Sequence, residues 1–448
     1  MPVDRRTLLT MPFAGAIGAG AAMVGQSASA RTGTPAAYAD ASALGVAPDN
    51  GDVTTALQGA IDHLSGTGGT LLLPPGRYRI SGLHLRTGVT LRGAGPASRL
   101  VSEGSAPAIA AEAQANTGLA DLTLTAPIPG GGRGPVIACT DVEGITFAQL
   151  NISGGKRGIE LARSSGSIRG CMFSDHADVA IFSMDASGLE ITHNTIGNCG
   201  NNGIQIWRGA PGNDSTLVSA NRITDIRADA GGSGQYGNGI NVFRAGGVLA
   251  SGNRIENCAY SAFRSNAGSD CQFVGNSCFG LGEVAIYAEF GFEGALIANN
   301  LIDDAATGIS ITNFNEGGRL AVVSGNLIRN LRTRDHFDAR GNGIGVEADT
   351  LVSGNVIENA PFAGITLGWG EYLRDVAVTN NLIRDCRWGI TASVAAGAGA
   401  TMISANMISG ARETAIQGME YERASGGELI GGAPAKWPHL TIAGNVGV

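Results

Sequence analysis

The chain has 448 residues, 70 of them glycine, with 5% aromatic side chains and a formal net charge of -8. The glycines lack the three-residue period of collagen, and the acidic balance argues against nucleic acid or anionic lipid as partners, since both want a basic face. Glycine at this frequency suits a fold that turns often, because glycine tolerates the positive φ angles of tight turns.

The first thirty residues read as an address. Asp4-Arg5-Arg6-Thr7-Leu8-Leu9 resembles the twin-arginine export signal, a soft apolar stretch from Ala14 to Val24 follows, and Ala28-Ser29-Ala30 offers small residues for cleavage before Arg31. The apolar run is broken by glycine and is shorter than the roughly 20 residues a spanning helix needs. Cleavage removes Asp4, Arg5 and Arg6, so the mature charge is -8 - 1 = -9. The expected location is the periplasm or the exterior, reached through the twin-arginine translocon, with no stable membrane insertion afterwards.

Residues of about 40–100 carry a cap and the first coils. Leu44-Gly45-Val46-Ala47-Pro48-Asp49-Asn50-Gly51 leads into an amphipathic helical pattern over Val53 to Asp62. Gly68-Gly69-Thr70-Leu71-Leu72-Leu73-Pro74-Pro75-Gly76-Arg77-Tyr78 and Val89-Thr90-Leu91-Arg92-Gly93 follow as strands.

Over residues 145–416 one phrase returns: apolar-x-Gly-Asn-x-Ile-x-Asn, a gap, then Gly-Ile. Ser251-Gly252-Asn253-Arg254-Ile255-Glu256-Asn257 and Ser324-Gly325-Asn326-Leu327-Ile328-Arg329-Asn330 are two copies. The first asparagine recurs at 194, 221, 253, 276, 300, 326, 355, 381, 406 and 445, with Leu150 and Cys171 in the same slot earlier. A period of 20 to 40 residues marks a solenoid, and short alternating strands make it a β-solenoid. Each unit is one coil, stacked about 4.8 Å from the next. The asparagines then form a structural ladder and the isoleucines a common core. Cys199, Cys258 and Cys386 each lie five residues after the ladder position, in one inward column. Two rungs, roughly 10 Å, separate Cys199 from Cys258, which is too far for a disulfide. No Cys/His spacing suggests zinc, and no cofactor is called for.

The cap and the repeats together resemble the pectate-lyase-like superfamily, over nearly all of residues 31–448. The twin-arginine signal with these repeats looks like a family of exported β-helix repeat proteins without an assigned activity. The resemblance implies an all-β, right-handed parallel β-helix, a single-stranded solenoid with an N-terminal capping helix and an irregular C-terminal cover over 417–448. The Asp-Pro-His-Glu/Asp motif of alginate epimerases is absent, although Asp335-His336-Phe337-Asp338 has similar letters in another order. The Asn-Thr-Asp and Gly-His-Gly motifs of polygalacturonases and the glycine/aspartate calcium nonapeptide are absent too.

Spacing supplies a candidate site. From the ladder position to the small residue opening the next strand is eight or nine residues, except from Asn221 to Gly239, which is eighteen, and from Asn326 to Gly343, which is seventeen. Two long loops at one corner would wall a groove. Alternation projects Gln205, Trp207, Asn241, Phe243, Arg264, Asn266, Tyr287 and Glu289 outward as its floor, followed by Ser310, Thr312 and Glu347. Amides, an arginine and aromatic faces suit sugar hydroxyls and rings. Glu289 and Glu347 fall two rungs apart, roughly 9.6 Å between backbones, near the upper limit for an inverting carboxylate pair. Asp335, His336 and Asp338 are further catalytic candidates, an arginine or histidine serving as base in a lyase. An outward Tyr287 implies that its truncation changes stability by no more than about 0.5 kcal/mol. The expected partner is a polysaccharide or oligosaccharide. Two readings stand: a hydrolase or lyase, and a non-catalytic carbohydrate-binding or cell-envelope scaffold.

Overall fold

The computed structural model describes residues 38–447 except 50, 105–106, 128–133, 233 and 335–339. The expected twin-arginine segment, with Arg5 and Arg6, and the candidates Asp335, His336 and Asp338 lie outside the described residues. The described chain is an all-β parallel β-helix. Its strands form one 29-stranded and one 15-stranded sheet. Successive coils add one strand to the 15-stranded sheet and wrap the other sheet around the rest of the coil, as in the parallel register Ile204↔Ile240 and Ile223↔Ile255.

The asparagine ladder is continuous from Asn194 to Asn445. Asn276 is a typical rung: its Nδ2 donates to Asn300 Oδ1 at 3.0 Å and to the Ala250 carbonyl at 3.1 Å, and its backbone N–H donates to Asn300 Oδ1 at 2.9 Å. The chain of amides runs on through Asn326, Asn355, Asn381 and Asn406 to Asn445. Both asparagines of the phrase have physical reasons. The residue before each ladder asparagine holds a left-handed conformation, as at Gly252 (φ 63°), Gly325 (φ 67°) and Gly354 (φ 66°), which explains the Gly-Asn pair. The second asparagine turns the chain at the next corner in the same conformation, as at Asn257 (φ 53°), Asn330 (φ 55°) and Asn359 (φ 58°). Between the two turns Ile196, Ile223, Ile255, Ile328 and Ile357 point inward and are buried.

The cap is a helix, Thr54–Ser65, that buries Leu57, Ala60, Ile61 and Leu64 against the first strands. Among the described residues no helix is long and apolar enough to cross a membrane. At the far end the expected irregular cover is more ordered than its sequence suggests. Thr414–Glu420 and Arg423–Glu428 form an antiparallel hairpin, and Leu440–Ala443 returns to pair with Thr401–Ser404. A sequence without a further Gly-Asn phrase before Gly444-Asn445 hides this hairpin, because its partner strand is antiparallel and exposed.

All seven cysteines are buried free thiols. Cys199 pairs in register with Ile226 and that residue with Cys258, which confirms the two-rung separation. Burial pushes the Cys139 and Cys199 thiols up to about 12, so neither is a thiolate near neutrality.

Among the described residues, His176 is the one histidine sealed in the core. Its Nδ1–H donates to the Gly154 carbonyl, and Nε2 has no partner. Burial lowers its pKa to about 4 from a reference of 6.5. The unfolded chain therefore binds a proton that the folded chain refuses between those values, and stability falls as pH drops from about 6.5 towards 4. This shift amounts to roughly 3 kcal/mol. Urea titrations at pH 7.5 and 4.5 should show that loss in the natural chain and a smaller one in His176→Phe. Equal losses in both would exclude His176 as the source.

Candidate functional site

The 15-stranded sheet carries the expected outward columns in the expected register. Gln205, Asn241, Arg264, Tyr287 and Ser310 align in one, and Trp207, Phe243, Asn266 and Glu289 in the next. The long loops sit at the predicted corner, one before the strand Asn238–Gly246 and the other before Ile344–Val346. The floor between them, however, is largely closed.

The first loop lies down on its own coils. Asn202 Nδ2 donates to the Gln235 carbonyl at 3.0 Å, Asn238 Nδ2 to the Gly234 carbonyl at 2.8 Å, and Tyr260 OH to the Gly232 carbonyl at 3.2 Å. Gly234 is required here, since a Cβ would come within 1.9 Å of Arg264 Nη1. Beneath it Arg264 grips Glu289 with two parallel bonds, Nε to Oε1 at 2.7 Å and Nη2 to Oε2 at 2.9 Å, and reaches Glu283 Oε2 from Nη1 at 3.1 Å. Asn266 Nδ2 adds a bond to Glu289 Oε1 at 3.2 Å, and the guanidinium stands 4.8 Å from the Tyr287 ring centroid.

The expectation of a solvated floor is therefore corrected at five positions. Gln205, Asn241 and Arg264 are buried, Tyr287 is 6% exposed and Glu289 is 2% exposed. Alternation places a side chain on the outer face of a sheet but says nothing of what a loop then lays over it. Glu289, with both oxygens committed to a fork of guanidinium donors, is not placed to exchange a proton with a ligand. Trp207 and Phe243 stay half-exposed, edge to face at 5.8 Å, with Trp207 Nε1 donating to Asn241 Oδ1 at 2.7 Å.

The open part of the face lies further along, where a cavity of about 310 Å³ covers three rungs. Its floor is Ser310 and Thr312, then Gly345 and Glu347, then Thr366 and Gly368, with Thr391 at the far side. Gly345 makes the depth: a Cβ there would meet nothing within 4 Å, whereas its column neighbours carry Ser310 and Thr366 hydroxyls. Asn342, Arg340 and Phe362 rise at one edge of the strands and Trp369 and Tyr421 at the other, while Met419 packs in a cluster with Phe362, Ala363 and Trp388. A tight turn pins Trp369, whose N–H donates to the Tyr372 carbonyl and whose carbonyl accepts from the Tyr372 N–H, leaving the indole 38% exposed.

Glu347 keeps its expected column, two rungs from Glu289, as the register Ala288↔Ile311↔Val346 of the preceding residues shows. The pair does not share a space, because Glu289 is sealed and Glu347 lines the cavity. Glu347 Oε1 accepts from Thr312 Oγ1 at 2.8 Å and Oε2 from the Phe314 N–H at 2.7 Å. Burial nevertheless raises its pKa above the ordinary carboxylate value, outweighing the lowering by those donors. Thr391 Oγ1, buried at the cavity margin, has no partner. Sequence reasoning missed Gly345, Thr391, Arg340, Trp369 and Tyr421. Only Gly345 left a legible signal, as a vacant place in an outward column otherwise filled with side chains.

Comparisons with known proteins agree with this architecture. A model described as the right-handed β-helix region matches residues 211–383, so the solenoid takes the expected hand. More particularly, the model of the periplasmic copper-binding protein NosD matches residues 130–280. The sequence matches no curated protein. Among solved structures, a PL6 alginate lyase in complex with a trisaccharide is similar at 15% identity and a TM-score of 0.55, covering 92% of this chain and 96% of that one. The N-terminal fragment of gene product 12 of bacteriophage Phi29 is similar at 16% identity and a TM-score of 0.50, covering 86% and 71%. At these identities both likenesses show the fold alone. The described residues do not fit a copper ion bound by three His, Cys or carboxylate ligands. The thiols of the matched segment are buried in the core, and no three such side chains come together among the described residues.

A buried Tyr287 reverses the stability expectation. Tyr287→Ala should cost roughly 3–5 kcal/mol in denaturant titrations, the range for truncating a core aromatic, because it removes packing over the Arg264 cluster. A loss under about 0.5 kcal/mol would mean that the side chain faces solvent after all.

Proposed function

We propose that the protein is an exported glycan-binding β-helix whose pocket over Gly345 seats a sugar ring. The observation that carries this reading is the pocket itself: a vacant floor position between hydroxyl-bearing neighbours, an unpartnered buried Thr391 hydroxyl and a half-exposed indole at the rim. Hydroxyls and a carboxyl at the base suit sugar hydroxyls, and Trp369 and Tyr421 offer aromatic faces to the apolar side of a pyranose. The β-helix similar to it at a TM-score of 0.55 is an alginate lyase solved with a trisaccharide, which supports a saccharide on a scaffold of this type. Among the described lining residues the single cation, Arg340, is already paired with Glu422, so the pocket favours a neutral sugar over a uronate.

Binding is favoured over cleavage because one carboxyl, Glu347, reaches the cavity among the described residues, whereas inverting and retaining hydrolases both use two. The raised pKa of Glu347 supports the second reading, in which it is a general acid. A panel of polysaccharides decides between them. The mature protein should retain at least one glycan without releasing reducing ends or unsaturated products. Product release that Glu347→Gln abolishes would select the enzyme, and retention of no glycan would overturn both readings. Gly345→Val should weaken retention at least tenfold with an unchanged melting temperature, since its side chain enters open space and fills the pocket.

Export through the twin-arginine route is part of the proposal, and the match to a periplasmic family supports it. Replacing Arg5 and Arg6 together by lysine should leave the precursor in the cytoplasm, because the translocon reads the pair as an address rather than as positive charge. Unchanged delivery of that variant, followed by fractionation and immunoblotting, would refute the route.

A further inference from the structure

We infer that the pocket takes the end of a glycan chain rather than a stretch of its interior; this rests on the glycan-binding reading above. Both axial exits of the pocket are shut. Towards the N-terminal coils, Tyr287 and Glu289 are the next floor residues and are buried with Arg264. Towards the C-terminal coils, Thr391 and Ser393 are followed in register by Gln417 and Met419, and all four are buried.

A strap closes that second side. The last hairpin, Thr414–Glu420 with Arg423–Glu428, brings its turn back over the preceding strands. Tyr421 meets Trp369 edge to face at 5.8 Å, and its ring lies so close to Gly370 that a Cβ there would come within 2.4 Å of it. Glu422 accepts a bond from Arg340 Nη2 at 2.8 Å, and the Arg340 guanidinium lies 5.3 Å from the centroid of the Trp369 ring. Arg340 precedes the strand Ile344–Val346, whereas Trp369 follows the strand Ala363–Leu367. The contacts therefore cross the face from one strand edge to the other.

Three open rungs span two spacings, about 10 Å along the axis, enough for one or two pyranose rings. A polymer threaded along the axis needs an exit at each end, and a polymer lying across the strands meets Phe362 on one side and Trp369 on the other. The floor residues Ser310, Gly345 and Thr366 are themselves partly exposed, so the remaining path leads outward to solvent past the Arg340–Trp369 contact. A terminal unit can enter by that path with its chain trailing behind, whereas an internal unit has two chain connections to lead out.

The test compares each polysaccharide that the panel retains in two forms at equal mass: intact, and after partial acid hydrolysis to about a tenth of its mean length. Interior sites scale with mass and ends scale with the number of chains. End recognition therefore lowers the half-saturating mass about tenfold after hydrolysis, and the Gly345→Val variant should lose that gain. An unchanged half-saturating mass would overturn the inference while leaving glycan binding standing. So would a hydrolysis gain that persists in Gly345→Val. Retention of no glycan at all would instead remove the reading on which the inference rests.

Discussion

The side-chain amide at one turn of each coil governs the rest of the molecule. A ladder asparagine answers four groups at once: its oxygen takes the N–H and the side-chain amide of the preceding rung, and its nitrogen donates to a backbone carbonyl of that preceding coil and to the amide oxygen of the next rung. Each of those groups is buried, and a buried polar group left unpaired costs about 1–3 kcal/mol. The ladder therefore fixes the register of every coil it touches. With the register fixed, the isoleucines fall into a common column and the outer face of the opposite sheet acquires aligned rows of side chains. The site is a consequence of that alignment. Ser310, Gly345 and Thr366 stand side by side only because Asn300, Asn326 and Asn355 do.

On this regular frame, two devices of opposite effect treat neighbouring stretches of one face. Where the chain lays a glycine-rich loop over the sheet, a bidentate arginine pairs with two carboxylates in a dry environment, and the floor becomes interior. Breaking such a cluster at one partner is costly, although its net contribution to stability is modest. Where the outward column loses a side chain at Gly345, the surface sinks instead. What separates the two stretches is that the loop ahead of Asn238 bonds down onto the first, whereas Gly345 leaves a gap in the second.

The fold was legible because its determinants are local and repeated. Asn253, Ile255 and Asn257 recur with their conformational reasons attached: a left-handed residue before the first asparagine, an inward isoleucine, a left-handed second asparagine. Cys199 and Cys258 were readable as core residues for the same reason, since the column assigns them a place. The site was only half legible. Period-two alternation gave the column of Glu347 and Glu289 correctly, yet the burial of Glu289, Tyr287 and Arg264 depends on how residues 227–237 fold back, and that is set by non-repeating contacts such as Asn238 to Gly234. Arg340, Trp369 and Tyr421 meet across 81 residues of chain, so no local pattern announces them.

The seven thiols bear on how such a chain can be made. Each is buried with its sulfur held as the neutral thiol, and none is in a disulfide. The native state then contains no covalent cross-link whose formation must be timed, catalysed or corrected. Redox potential drops out as a variable of its folding: the same molecule results whether the surroundings are rich in glutathione or in oxygen. An all-β protein of this length, with its strand pairings made between successive coils, can thus complete its structure in reducing and in oxidising surroundings alike.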